Sequence, residues 1–313
     1  MTWGAYYRGD GSVHADRFAP PPPWREFPRK SLGVKFQPPK GLTDAVNAAL
    51  SLRRPLLITG TPGSGKSTVI EAVAAELDLG DPLRWHITSR ATLAEALYRY
   101  DVLGRIHEQQ LRQGSDSWPP HDDIARFLRL GPLGTALTPS PRPRALLIDE
   151  IDKSDLDLPS DLLDVLERGE YEIPELTRHR IDDVPVRMWE SDDTYTVHRG
   201  KVQCTEFPFI VMTSNEERDF PAAFLRRCIR FSMPAPDEVT IRDIVGAHLG
   251  MEVPADGPLA DLLTGFVARL QAGENLAIDQ LLGAVFVLSG DSAPEGAHRE
   301  ALARMLLREL TRG

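Results

Sequence analysis

The segment 60-GTPGSGKS-67 constrains this chain more than any other, because it follows the apolar run 55-PLLIT-59 directly. Gly60, Gly63 and Gly65 open backbone angles closed to other residues, so the loop can turn its N–H groups inward around an anion. Beyond it, 66-KSTVIEAVAAELDL-79 carries Val69, Ile70, Val73, Ala74 and Leu77 at helical spacing. That predicts a helix from Lys66 whose N-terminal dipole adds partial positive charge at the same place. The residues satisfy G-x-x-x-x-G-K-[ST] with a strand before and a helix after. Lys66 is then expected to reach the β- and γ-phosphates of ATP, and the Ser67 hydroxyl to ligate Mg²⁺. Gly60, Thr61, Pro62, Gly63, Ser64, Gly65, Lys66, Ser67 and Thr68 together form the candidate nucleotide loop. The plain alternative is a glycine-rich turn followed by an incidental Lys-Ser.

Short apolar segments alternate with helical patterns from residue 41 to about 235, which predicts an α/β fold with a parallel sheet. Its candidate strands are 55–59, 84–88, 144–149, 207–213 and 228–233. After Pro234 and Pro236 the pattern turns helical, over 237–249, 258–272, 278–288 and 297–310. The expected domains are therefore a proline-rich arm (1–40), an α/β nucleotide-binding domain (41–235) and a small helical domain (236–313). The arm holds 20-PPPPW-24 with Trp3, Tyr6, Tyr7, Phe18 and Phe27 nearby. It reads equally as a docking arm with aromatic anchors and as a plain tail.

A net charge of −10 argues against broad non-specific binding of nucleic acid, which is not expected as a partner. Only Cys204 and Cys228 occur, so no disulfide framework is implied and a reducing cytoplasm fits. The first residues lack the apolar core of a signal peptide, and no apolar run is long enough to span a bilayer. The expectation is a cytoplasmic chain without direct membrane insertion. The histidines show no metal-ligand spacing, and neither Cys has a base beside it in sequence.

The third candidate strand ends in 146-LLIDEID-152. Ligands bind at the C-terminal edge of parallel strands, so Asp149 and Glu150 are expected beside the phosphate loop. Asp149 would hold the Mg²⁺ shell, and Glu150 would orient and deprotonate the attacking water. The fourth strand ends in 213-TSNEER-218, where Asn215 could share that water with Glu150. Before the last strand lies 224-FLRRCIRF-231. Arg227, with Arg226 as the alternative, reads either as surface charge or as an arginine finger offered to a neighbouring subunit's ATP.

Taken together, 42-LTDAVNAALSLRRPLLITGTPGSGKST-68, 87-ITSRATLAEALYRYDVLGRI-106, 131-GPLG-134, 145-ALLIDEID-152 and 212-MTSNEERDFPAAFLRRC-228 resemble the MoxR-like branch of the AAA+ ATPases. The resemblance implies a five-stranded sheet ordered 5-1-4-3-2, a helical lid, ring assembly of the chain with itself, usually hexameric, and ATP hydrolysis with Mg²⁺. It makes Asn215 look like the sensor-1 residue and Arg227 like the finger. The pairing of ITSR…YRYD with DEIDKSD-x-DLP is similar to ATPases encoded beside bacterial conflict and defence effectors. It also implies a client or effector protein as partner. One departure stands out. Relatives usually present a basic sensor-2 residue from a lid helix, whereas no Lys or Arg occurs here between Arg269 and Arg299. Either Arg269 substitutes or the lid couples weakly to nucleotide.

The stretch 171–203 alternates in the manner of a hairpin or two projecting from such a ring, as a substrate contact or as a structural insertion. Tyr98 and Tyr100 could line a pore or sit in the core. Rival functions are a slow ATP-gated assembly switch, and a nucleic-acid motor or GTP-using subunit. Glu150 weighs against the switch, and the acidic balance against the motor.

Overall fold

The computed structural model describes residues 6–7, 9–11, 13, 18–27, 36–112, 124–274, 276–290 and 293–308. Trp3, Arg8, Arg17, Arg29, Lys30 and Lys35 of the arm, and the end of the last predicted helix, lie outside these. In chain order the strands are β1 (Leu56–Thr59), β2 (Leu83–His86), β3 (Tyr98–Tyr100), β4 (Leu128–Leu130), β5 (Ala145–Asp149), β6 (Glu170–Glu172), β7 (Asp183–Arg187), β8 (Thr194–His198), β9 (Lys201–Gln203), β10 (Phe209–Ser214) and β11 (Ile229–Ser232). The helices are α1 (Leu42–Leu52), α2 (Thr68–Glu76), α3 (Leu93–Leu97), α4 (Val102–Arg112), α5 (Pro132–Ala136), α6 (Leu158–Arg168), α7 (Pro174–Thr177), α8 (Ala222–Leu225), α9 (Glu238–Leu249), α10 (Pro258–Gln271), α11 (Ile278–Leu288) and α12 (Gly296–Leu306). They fall into two compact units.

The larger unit, Phe36–Thr59 with Ser67–Ser232, contains a parallel five-stranded sheet ordered β11-β1-β10-β5-β2. In terms of the five strands expected from the sequence this is 5-1-4-3-2. Residue types follow position in the sheet. The central β10 is buried at all six residues and β5 at its first four, while the edges β2 and β11 alternate between covered and exposed. Strands covered on both faces need continuous apolar runs, which LLIT, ALLID and FIVMT supply. Removing Ile210, fully buried in β10, to Ala would cost about 2–5 kcal/mol.

A second sheet of the same unit is ordered β3-β4-β7-β8-β9-β6. The expected hairpin is there: β7 and β8 pair antiparallel from Asp183↔His198 to Arg187↔Thr194. It does not project freely, however. Val184, Val186, Val197 and Val202 point inward and join the core of the larger unit, because alternation of period 2 puts one face of each strand onto that core. Tyr98 and Tyr100 pack partly buried against the same core, and the Tyr98 hydroxyl donates to Glu175 Oε2 at 2.9 Å. The 131-GPLG-134 motif has a packing reason. A Cβ on Gly134 would fall 1.8 Å from the Leu97 carbonyl oxygen, so α5 lies with its backbone against the end of α3.

The smaller unit groups the described residues before 36 with Gly60–Lys66 and the chain from Met233 onward. Ile241, Val245, Leu263, Phe266, Leu281, Val285 and Leu302 build its core from all four helices α9 to α12. Trp24 packs there as well, its ring 6.0 Å from that of Phe286 and nearly perpendicular to it. This tryptophan of the arm is thus an anchor.

Candidate functional site

The loop after β1 adopts the conformation its glycines permit. Gly60, Gly63 and Gly65 have φ of 144°, 74° and 83°, all in the region that side chains avoid. Space excludes a side chain as well: a Cβ on Gly63 would lie 2.9 Å from the Ile278 backbone nitrogen. The helix α2 begins at Thr68, two residues later than expected. Residues 66 and 67 form a turn that leads into it, a shift within the one or two residues by which helix ends vary. The Lys66 side chain is buried, and its Nζ donates to the carbonyls of Gly60 and Thr61, each at 2.8 Å. The buried Ser64 Oγ has no hydrogen-bond partner among the described residues. Buried hydroxyls are rarely left so. A loop of left-handed glycines, an orphan hydroxyl and a buried ammonium fits a phosphate chain.

At the C-terminal edge of the sheet, Ser67 Oγ donates to Asp149 Oδ1 at 2.8 Å and Thr213 Oγ1 donates to the same oxygen at 2.6 Å. Thr213 also accepts from the Glu150 backbone N–H at 2.9 Å. Glu150 itself has φ 59° and ψ 48°, a left-handed conformation that costs a residue with a Cβ of order 1 kcal/mol or more and that collects at functional sites. Glu150 Oε2 accepts from Lys153 Nζ at 2.8 Å, and Oε1 lies 3.5 Å from Asn215 Nδ2. That hydrogen bond from Lys153 raises the lysine's pKa. His86, at the end of the neighbouring β2, reaches 3.7 Å from Glu150 Oε2 and 3.9 Å from Asp149 Oδ2.

Asn215 is held from below. The buried Asp152 accepts from the backbone N–H groups of Asn215, at 2.9 Å, and Glu217, at 3.2 Å. The structure thus brings Ser67, Asp149, Glu150 and Asn215 together. It adds Thr213, Asp152, Lys153 and His86, which the sequence reading passed over. The Asp of DEID and the Thr of TSN were visible as letters, but nothing in their spacing showed that one would brace Asn215 and the other both carboxylates. An oxygen pair such as Ser67 and Asp149 suits Mg²⁺, which takes one or two protein oxygens and completes its shell with phosphate and water.

Arg226 and Arg227 are exposed at the end of α8, away from this cluster in its contacts. Arg227 Nε donates to Glu167 Oε1 of α6 at 2.8 Å, and the arginine lines a depression of ≈ 290 Å³ with Leu52, Arg53, Phe207 and Glu167. In the smaller unit Arg269 is occupied locally. Its Nε donates to Glu274 at 2.8 Å and a terminal nitrogen donates to the Leu307 carbonyl at 2.9 Å.

A parallel sheet of this order, running from its second position into a glycine-rich loop, defines an α/β protein of the AAA type. Residues 55–228, more than half of the chain, match the family described as AAA domain (dynein-related subfamily), and the chain belongs to that family. No curated protein sequence matches it. Among solved structures it is similar to NtrX from Brucella abortus in complex with ADP, at 16% identity and a TM-score of 0.43. The match covers 85% of this chain and 52% of that one, so the chain spans about half the length of NtrX. Among the described residues no helix is long and apolar enough to cross a membrane.

Proposed function

We propose that this AAA protein is an ATP-hydrolysing, MoxR-like ring ATPase of the cytoplasm that remodels or activates a protein partner in a bacterial conflict or defence system. The observation that carries hydrolysis is the strained Glu150 with Asn215 beside it. A carboxylate in a left-handed conformation at that edge, 3.5 Å from the Asn215 amide, supports hydrolysis over nucleotide binding alone. The MoxR-like branch and the defence context rest on the sequence motifs alone.

Bound ATP with Mg²⁺ supplies the phosphoanhydride and the charge that draws its phosphates to the loop. In this reading the loop N–H groups and Lys66 hold the phosphates, with Lys66 leaving the Gly60 and Thr61 carbonyls to do so. Ser67 and Asp149 would hold the metal. Glu150 takes a proton from the attacking water while Asn215 fixes that water's position. Lys153 Nζ pairs with Glu150 Oε2 at 2.8 Å, which favours a second reading, a switch with slow turnover.

The experiment compares wild type, Lys66→Ala, Glu150→Gln and Lys153→Met in ATP binding by calorimetry and in phosphate release. Lys66→Ala should lose binding. Glu150→Gln should keep binding and lose at least ~10²-fold in turnover, the usual scale for a general base. Faster release from Lys153→Met would favour the switch. Turnover unchanged in Glu150→Gln would remove the hydrolytic reading.

A further inference from the structure

Three arginines stand side by side across the exposed face of the six-stranded sheet. Arg99 of β3 is the cross-strand partner of Arg129 of β4, and Arg129 is that of Arg187 of β7. All three are exposed, and Thr194 continues the row opposite Arg187. With neighbouring strands about 4.8 Å apart, the three arginines span roughly 10 Å. Like charges placed directly opposite one another destabilise a sheet. A chain with a net charge of −10 has ample acids to interrupt such a row, yet none stands in it.

The groups are also held in place. The guanidinium carbons of Arg99 and Arg129 lie 5.1 and 5.9 Å from the Trp189 ring centroid, and Arg129 Nε donates to the Met188 carbonyl at 3.3 Å. Stacking on one indole keeps two planar cations in a shared orientation. Among the described residues neither forms an ion pair, and Arg187 has only the fully exposed Asp192 at 3.9 Å.

We propose that this row docks a short acidic segment of the partner protein, two or three carboxylates lying across Arg99, Arg129 and Arg187. Guanidinium forks match carboxylates in pairs of hydrogen bonds. A nucleic-acid strand fits less well. Its further phosphates would meet Glu190, Asp192 and Asp193, all exposed in the turn after β7. Tight binding of that kind also draws on about six to ten phosphate contacts, where the row offers three cations. An acidic peptide can end where the arginines end. The proposal rests on the reading above only for the partner's being a protein. Binding to the row needs no turnover, so a failed ATPase assay leaves it standing.

The test is fluorescence anisotropy on the full chain without nucleotide. The probe is a labelled peptide of about ten residues, long enough to cross the row, alternating Glu and Thr. The same peptide with Gln for Glu and a labelled oligothymidylate serve as comparisons. Saturable binding is expected for the Glu peptide alone, weakened about three- to tenfold by each of Arg99→Gln, Arg129→Gln and Arg187→Gln, and abolished in the triple variant. Arg129→Lys keeps the charge but loses the planar stack and should restore only part of the affinity. The triple variant loses the contacts with Trp189 together with the opposed like charges, effects of opposite sign and similar size, so its melting temperature should shift by only a few degrees, which separates lost binding from lost fold. Equal binding of the Gln peptide, undiminished binding by the triple variant, or no binding of either peptide overturns the proposal. Binding of the oligothymidylate in place of the Glu peptide overturns it too and gives the face to nucleic acid.

Discussion

The Thr213 hydroxyl donates to Asp149 Oδ1 at 2.6 Å while accepting from the Glu150 backbone N–H at 2.9 Å. One buried side chain thereby fixes both neighbouring carboxylates, one through its oxygen and the other through its backbone. Thr213→Val keeps the shape and removes both bonds. The part-buried amide of Glu150 would lose its partner, at a cost of about 1 kcal/mol in stability. Asp149 would lose one of the two hydroxyls that donate to its Oδ1, so turnover should fall and should need more Mg²⁺ to saturate. Urea unfolding and a Mg²⁺ titration of phosphate release check this. A variant with wild-type stability and Mg²⁺ dependence would show that Thr213 braces neither group.

Asp152 gives a second handle on the same edge. It is buried, and among the described residues its hydrogen bonds to the site come from the N–H groups of Asn215 and Glu217. Asp152→Asn weakens two charge-assisted bonds without altering any group proposed to touch the nucleotide. ATP affinity should hold while turnover drops, because Asn215 would no longer be positioned. A fall in affinity as large as the fall in turnover would contradict this division.

The parallel sheet and its phosphate loop were legible because each signal is local. A buried strand such as ALLID is a continuous apolar run, and GTPGSGKS specifies its own conformation through three glycines. The second sheet was not legible as a sheet. Strands β3, β4, β6 and β9 have three residues each, too few to show a period, and they pair over long separations, such as Tyr98 with Leu130 or Glu170 with Gln203. The arginine row was hidden for the same reason, since Arg99, Arg129 and Arg187 are neighbours only once those pairings exist. The positive φ of Glu150 has no sequence signature at all. The N–H of this residue is held by Thr213, 63 positions away in the chain.

Alkaline pH should destabilise the fold, and the direction follows from three buried acids. Burial pushes the Cys228 thiol from 9.0 up to about 12. Burial and then the bond to Glu175 push Tyr98 from 10.0 up to about 12, and burial raises Tyr171 further still. The folded chain therefore keeps protons that the unfolded chain releases above pH 9 or 10. Stability is unaffected by these groups below pH 9 and is lost progressively as pH rises toward 12. Denaturant midpoints between about pH 8 and about pH 11 should fall, and Tyr171→Phe should flatten the decline. The Tyr171 hydroxyl has no partner among the described residues, so that variant should also gain roughly 1 kcal/mol at neutral pH. Midpoints that stay level across the range would refute the argument.

The last prediction concerns where Arg227 acts. Its pairing with Glu167 joins two side chains that are 46% and 61% exposed, and such a pair contributes about 0–1 kcal/mol. The arginine can leave it for a stronger anion at little cost. Ser67, Asp149, Glu150 and Asn215 contact one another within one chain, whereas Arg227 bonds to Glu167 and to the Ala223 carbonyl. If it serves a neighbour's ATP, Arg227→Ala should bind ATP normally and lose turnover by ~10³-fold or more, the range of arginine fingers. Glu167→Gln, which frees the arginine, should not lower turnover. Mixing then identifies the route. Lys66→Ala cannot hold ATP but still offers Arg227, whereas Arg227→Ala holds ATP and offers none. In a mixed ring, the junction between the second chain's nucleotide and the first chain's arginine contains every group, so activity absent from each variant should reappear. An arginine acting on its own chain's ATP could not be complemented, because no chain in the mixture has both parts. Were subunit exchange shown by fluorescence transfer and the mixture still inactive, the role would pass from Arg227 to a test of Arg226 by the same mixing, with Arg227 left as surface charge paired to Glu167.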